Sequence, residues 1–191
     1  MIGLILAGGF GKRMGEYGES LPKGLLKIRG VHVVDHIMKK FGSLSLEKVY
    51  LSTNKKYEKK FRQWALLNDV ELFVEPSTND SDKLGSMGGI KHFLKVMDID
   101  DDILVFASDN ILSDSLVSFI SSFDRKNYLL GVYESIKDFE DYGTVLFDDN
   151  NRVTSFSEKN TFPISTYVAT CIFLIPKNKQ HLIFDSVLKL L

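Results

Sequence analysis

Four short apolar runs, "IGLIL" (2–6), "KVYLST" (48–53), "VELFVEP" (70–76) and "DILVFAS" (102–108), alternate with stretches whose apolar residues recur every three or four positions. This alternation constrains the fold more than any other feature of the chain. Strands separated by helices build a layered α/β sheet, and the continuous apolar run "DILVFAS" is typical of a strand covered on both faces. Val34, Ile37, Met38 and Phe41 define the first helical face, and Tyr57, Phe61, Trp64 and Ala65 the second. A third helix, from about Ser86, buries Met87, Ile90, Phe93, Leu94 and Met97. Ser113 is the expected cap of a fourth, carrying Leu116, Val117, Ile120 and Phe123. The pattern then changes. "NYLLGVYES" reads as a strand, and "GTVLFDDNNRVTSFSEK" (143–159) as a hairpin turning at its Asp-Asn cluster. "TYVATCIFLIP" is a last strand, before a helix with Ile183, Val187 and Leu191 on one side. The expectation is one domain over residues 1–191: a three-layer α/β/α arrangement with a mixed, mostly parallel sheet and an added β-hairpin.

Composition removes several function classes. The balance of 24 basic and 25 acidic side chains leaves a net charge of -1, so no general field draws the chain to nucleic acid or to an anionic membrane. An anion site has to be local. Cys171 is the only cysteine, which excludes an intrachain disulfide framework and a Cys-rich zinc site and suits a reducing, cytoplasmic location. No apolar run is long enough to span a bilayer, and the short stretch Ile2 to Ala7 reads as a strand rather than a secretion signal. His32 and His36 stand four apart, but nothing nearby completes a metal set.

The local anion site has an obvious candidate. "LILAGGFGKRM" runs from an apolar strand into Gly8, Gly9 and Gly11, then into Lys12 and Arg13. In an open α/β sheet, ligands bind beyond the carboxyl ends of strands. Glycines there let backbone N–H groups close on phosphate oxygens, which the two cations would neutralise. Two familiar phosphate loops do not fit. A dinucleotide fingerprint requires glycine where Met14 stands, and a Walker loop requires glycine at Leu6 and a hydroxyl at Arg13. From these residues alone, a plain tight turn with solvated cations stays open. So does a simple helix-cap role for Asp109 after its strand, and an exposed charged pair for Glu158 and Lys159.

The longer segment "LAGGFGKRMGEYGESLPKGLLKIRG" (6–30) resembles the two-part signature of the sugar-1-phosphate nucleotidyltransferases, an L-A-G-G-x-G-T-R-L run followed by P-K-x-L-L. Lys12 replaces the usual Thr, Met14 the usual Leu, and Gly24 a frequent Pro. "LGSMGGIK" (84–91), "ILVFASDN" (103–110), "DYGTVLFDDNNRVTSFSEKN" (141–160) and "YVATCIFLI" (167–175) are similar, in order, to further segments of that family. The resemblance implies a Rossmann-like fold and a reaction in which a sugar 1-phosphate attacks the α-phosphorus of a nucleoside triphosphate, releasing pyrophosphate. By it, Leu6, Ala7, Gly8, Gly9, Gly11 and Gly85 would bind the nucleotide. Arg13 would take the leaving pyrophosphate, Lys23 the α-phosphate, and Asp109 a Mg²⁺ ion. Asn110, Gly143, Glu158 and Thr170 would hold the sugar, and Lys159 its phosphate. Cys171 stands where the family commonly has Gly.

The family also continues into a segment bearing a second metal carboxylate, which lies beyond Leu191, and Asp185 is expected to face solvent rather than replace it. Three rival readings stand beside this one: a cytidylyltransferase-like enzyme with a non-sugar phosphate acceptor, which resembles the first signature; a nucleotide-sugar-binding regulatory paralogue without turnover, supported only by the missing second carboxylate; and an unrelated α/β ligand-binding domain, which the four ordered motif matches disfavour. "LGSMGG" leans towards guanine, as in mannose- or heptose-phosphate guanylyltransferases, with thymidylyl and uridylyl transfer still open. Family members commonly associate, so a homo-oligomer is open as well.

Overall fold

Two apolar layers lie on opposite faces of one sheet, and the alternation of residues along the central strands explains why. In the computed structural model, which describes residues 1–15, 20–135, 139–159 and 162–184, β1 (Ile2–Ala7) sends Ile2 and Leu4 to one face and Ile5 and Ala7 to the other. Strand β6 (Ile103–Ala107) divides in the same way, Ile103 and Val105 against Leu104 and Phe106. Strands of this kind need cover on both sides, so their sequences are continuously apolar.

Helices α1 (Val33–Phe41) and α2 (Glu58–Leu67) supply one cover, with Val34, Ile37, Phe41, Phe61 and Trp64 in the same cluster as Ile5 and Phe106. Short α4 (Leu116–Ser121) adds Leu116. Helix α3 (Gly85–Met97) covers the opposite face through Ile90, Phe93 and Leu94, joined by Ile183 from a 3-10 segment, Lys177–Ile183. The result is the expected three-layer α/β/α arrangement.

Among the described residues the sheet has eight strands, seven of them in the order β5-β4-β1-β6-β10-β8-β9, with β7 also paired to β10. Here β4 is Val49–Asn54, β5 Glu71–Glu75, β7 Leu129–Glu134, β8 Thr144–Phe147, β9 Val153–Ser157 and β10 Tyr167–Ile175. Strands β5, β4, β1 and β6 are parallel, and every pair made by β10 is antiparallel. A separate ribbon of β2 (Lys27–Ile28) and β3 (Val31–His32) leads into α1.

The hairpin forms as read: Asp148 Oδ1 accepts from the N–H groups of Asn150 and Arg152, both at 2.9 Å, and Asn151 takes φ 58°. Two expectations need adjustment. The cap of α4 is Ser115, whose hydroxyl accepts from Val117 N at 3.2 Å, not Ser113. The Ser113 carbonyl is instead bound by Lys40 Nζ at 2.7 Å, which holds that segment extended ahead of the helix. At the C-terminal end, residues 177–183 form a 3-10 segment, and Val187, Leu191 and Asp185 lie outside the described residues. His32 and His36 bind the carbonyls of Leu25 and Ile28 and so pin the β2–β3 ribbon. Among the described residues, no helix is long and apolar enough to cross a membrane.

Candidate active site

The carboxyl ends of β1, β4, β5 and β6 meet at one edge of the sheet, and the glycine turn leaves from there. Its three glycines serve different purposes. Gly11 takes φ 67°, ψ 25°, the left-handed conformation that disfavours any side chain, and a 3-10 turn, Lys12–Met14, follows it. Gly8 has an ordinary φ, but a Cβ there would lie 2.8 Å from the Glu75 carboxylate. Gly9 meets nothing within 4 Å, so its face is open to a ligand.

The turn is anchored through its carbonyls. Asn54 Nδ2 donates to Gly8 O at 2.9 Å and Tyr57 Oη to Phe10 O at 3.1 Å. Among the described residues, the N–H groups of Gly9, Phe10 and Gly11 have no acceptor. Tied carbonyls and free amides make the polarity of an anion nest. The backbone of Arg13 lies in the 3-10 turn, while its side chain lies outside what the structure describes.

Beside the turn, Lys23 is presented by a second 3-10 turn, Lys23–Leu25. Gly24 allows the close approach, because a Cβ there would meet Val34 Cγ1 at 2.9 Å and Ser108 Cβ at 3.3 Å. Lys23 Nζ reaches Asp109 Oδ2 at 3.2 Å, with both side chains partly open to solvent. Asp109 follows β6 directly, after Ser108 N has extended the ladder to Leu6 O at 2.9 Å.

A cleft of about 1260 Å³ opens in front of this pair. Of the residues singled out from sequence, it brings together Lys23, Asp109, Asn110, Gly143, Glu158, Lys159 and Thr170. Leu6, Ala7, Gly8, Gly9, Gly11 and Gly85 do not line it. Leu6 and Ala7 end β1, Gly8, Gly9 and Gly11 form the turn after it and Gly85 starts α3, while neighbouring Met14, Ser86 and Met87 border the cleft. Two polar side chains are engaged within the protein. Thr170 Oγ1 donates to Gly131 O at 2.7 Å and accepts from Ile172 N at 3.3 Å, and Asn110 Nδ2 donates to the Thr170 carbonyl. They brace a β-bulge in β10, where the register to β7 shifts between Ala169 and Phe173 and Cys171 adopts φ 53°. The Cys171 pKa is pushed up by desolvation of the thiol among the groups packed around it, although the residue as a whole is exposed, then by the carboxylates of Asp109 and Glu158, with Lys159 opposing. Asp109, just after β6, and Glu158 and Lys159, at the end of the hairpin, line the same cleft as Cys171.

Sequence reasoning missed Glu75. It closes β5 with its carboxylate buried between Gly8 and Gly89, bonded by the Ser52 hydroxyl at 2.7 Å, and burial pushes its pKa above the ordinary carboxylate value. The signal was an acid at the carboxyl end of an apolar strand, in "VEP". Asp80 was missed too; it sits 2.8 Å from Lys12 Nζ. Among the described residues, no three His, Cys, Asp or Glu side chains cluster as a ready metal site.

Comparison with known proteins fits this arrangement. The family described as nucleotidyl transferase matches residues 2–186. The chain is 29% identical over 185 residues to the bifunctional protein GlmU of Methanocaldococcus jannaschii, covering 96% of this chain and 42% of that protein. It is 26% identical over 180 residues to the mannose-1-phosphate guanylyltransferase of Mycobacterium tuberculosis, covering 92% and 48%. The chain thus spans less than half the length of these relatives. The solved structure of the inositol-1-phosphate CTP transferase from T. maritima superposes with a TM-score of 0.73 at 20% identity, over 93% of this chain and 71% of that one, which is a likeness of fold. With the glycine turn, the Lys23–Asp109 pair and the hairpin all inside the matched span, this chain belongs to the nucleotidyl transferase family, that of the sugar-1-phosphate nucleotidyltransferases.

Proposed function

We propose that residues 1–191 act as one nucleotidyltransferase domain that moves a nucleotidyl group from a nucleoside triphosphate to a sugar 1-phosphate, in the cytoplasm and with Mg²⁺. The observation that carries this reading is the convergence of Lys23 and Asp109 with Glu158 and Lys159, from three separate stretches of the sequence, on a cleft beside a turn of free backbone amides. Two polyanions must be brought together in this reaction, and that arrangement has charge and space for both.

In the proposed sequence of events, the amides of Gly9, Phe10 and Gly11 receive the triphosphate and Arg13 its outer phosphates. Lys23 neutralises the α-phosphate. Lys159 holds the phosphate of the acceptor, and Glu158 with the Gly143 backbone takes its hydroxyls. A phosphate oxygen of the sugar 1-phosphate forms the new bond to the α-phosphorus, the bond from that phosphorus to the β-phosphate oxygen breaks, and pyrophosphate departs. No general base is required, since the attacking phosphate has a second pKa near 6 and is ionised at neutral pH. The work of the site is to orient the two anions in line and to stabilise charge at the pentavalent centre.

Asp109 would hold the Mg²⁺ ion. Its carboxylate is half exposed and, among the described residues, bonded through Oδ2 alone, and Mg²⁺ is commonly held by one or two carboxylates with substrate phosphates and water completing the shell. When bound, the ion supplies a Lewis acid and countercharge at the phosphates.

Pyrophosphate release tests the proposal, using the chain and its Asp109→Ala variant with Mg²⁺, each of GTP, dTTP, UTP, CTP and ATP, and a panel of sugar 1-phosphates. Release that requires one nucleotide and one sugar, and is lost in the variant, is expected. "LGSMGG" makes GTP the first choice. Release that survives in Asp109→Ala, or none with any pair, would overturn the assignment.

A further inference from the structure

We infer that Asp80 is a latch on Lys12: it holds that cation away from the glycine turn's ligand, and a nucleoside triphosphate binds by taking Lys12 from it. This rests on the nucleotide reading of the turn given above. Lys12 Nζ lies 2.8 Å from Asp80 Oδ2, and the pair bridges the glycine turn to the strap of residues 76–84 that connects β5 to α3. The two ends of the bridge are built differently. Lys12 is 75% exposed and free to swing, whereas Asp80 is 22% exposed.

Asp80 also opens a stiff 3-10 turn, Asp80–Asp82, in which Asn79 Oδ1 accepts from Ser81 N at 2.9 Å and Asp82 accepts from Asn79 N at 2.9 Å. A second cation, Lys83, sits 3.0 Å from the other oxygen of Asp80. The departure of Lys12 therefore leaves no carboxylate without a partner. An exposed pair of this kind is weak, and a triphosphate arriving at the amides beside Lys12 outbids a single carboxylate. A cavity of about 440 Å³ between turn and strap, lined in part by Gly11, Lys12, Asn79 and Asp80, gives the side chain room to exchange. In this reading Asp80 lowers triphosphate affinity and recaptures Lys12 as pyrophosphate leaves.

The test is a double-mutant cycle read by isothermal titration calorimetry, with inorganic tripolyphosphate as a base-independent probe and the five nucleoside triphosphates beside it. Asp80→Asn should tighten tripolyphosphate about two- to fivefold, the range set by the coupling of exposed ion pairs. In a Lys12→Gln background the same change should lose most of that gain. An equal gain in both backgrounds would mean that Asp80 acts only through its general field, and no gain in either would mean that it does not hold Lys12; each overturns the latch. If wild type binds neither tripolyphosphate nor any of the nucleotides, the nucleotide reading itself falls and the latch falls with it. Binding with an additive cycle removes the latch alone.

Discussion

Replacing Gly8 by alanine should destabilise the protein, and the reason lies in a residue 67 positions away, Glu75. The added Cβ would stand 2.8 Å from Oε1 and 2.9 Å from Oε2 of a carboxylate that is 4% exposed. The tip of a glutamate ordinarily yields, but this one has nowhere to go. On its far side, the site of a Cβ on Gly89 is 2.9 Å from the same Oε1, and Ser52 holds that oxygen at 2.7 Å. Relief would have to come from an off-rotamer glutamate, a lost hydrogen bond or movement of the glycine turn. Overpacking of this sort costs about 1–3 kcal/mol, and a lost hydrogen bond about 1 kcal/mol. For a chain of this length that lowers Tm by roughly 2–10 °C. Thermal and urea unfolding of Gly8→Ala, Glu75→Ala and the double variant would measure it. With the carboxylate truncated, Gly8→Ala should cost less than about 0.5 kcal/mol, so the cycle shows a coupling of 1 kcal/mol or more in order of magnitude. Equal costs in both backgrounds, or a near-neutral single variant, would refute the close packing argued here.

Burial raises the folded-state pKa of Glu75 above the ordinary carboxylate value, so its contribution to stability is full below the unfolded pKa and is lost as pH rises through the folded one. Glu75→Gln should therefore flatten that decline and unfold at a higher urea concentration than wild type at pH 8, but not at pH 4; parallel pH profiles would show that the acid is not perturbed. At the β10 bulge, Cys171→Val should cost about 1–2 kcal/mol, because a β-branched residue resists φ 53°, while Cys171→Gly should be neutral or stabilising in the same urea assay. Gly143→Ala places a Cβ 2.6 Å from Phe156 Cζ and should destabilise the hairpin by about 1–3 kcal/mol, seen as a lower Tm with extra hydrogen exchange in β8 and β9. Lys23→Met breaks only an exposed pair and should leave Tm nearly unchanged while lowering pyrophosphate release by about a hundredfold or more. A parallel fall in Tm would show that Lys23 is structural.

The layered sheet was legible because each of its first four long strands is local in sequence and apolar enough to demand cover on both faces. Leu4 with Ile5 and Leu104 with Val105 already imply two apolar layers, and the helical faces of Ile37 and Phe93 imply what fills them. The cap of α4 was not legible. Ser113 and Ser115 are chemically equivalent, and only the Lys40 contact to the carbonyls of Ser113 and Asp114 decides between them. The glycine turn was visible as a turn, yet its three glycines look alike in sequence. Their separate reasons, a left-handed φ at Gly11 and a buried acid behind Gly8, come from different parts of the fold.

The sequence by itself determined the strand and helix periods, the presence of a glycine turn followed by two cations and, through ordered motifs, the family. These are properties of neighbouring residues, set by backbone geometry and side-chain type within a few positions. Tertiary structure decided what those residues touch. It placed Lys23 on Asp109, Asp80 on Lys12 and Glu75 between Gly8 and Gly89, contacts spanning 86, 68, 67 and 14 positions that no local pattern encodes. Charge and burial act through space, so the pairing of cations and the pKa of a buried acid exist only once the parallel strands have brought their carboxyl ends to one edge.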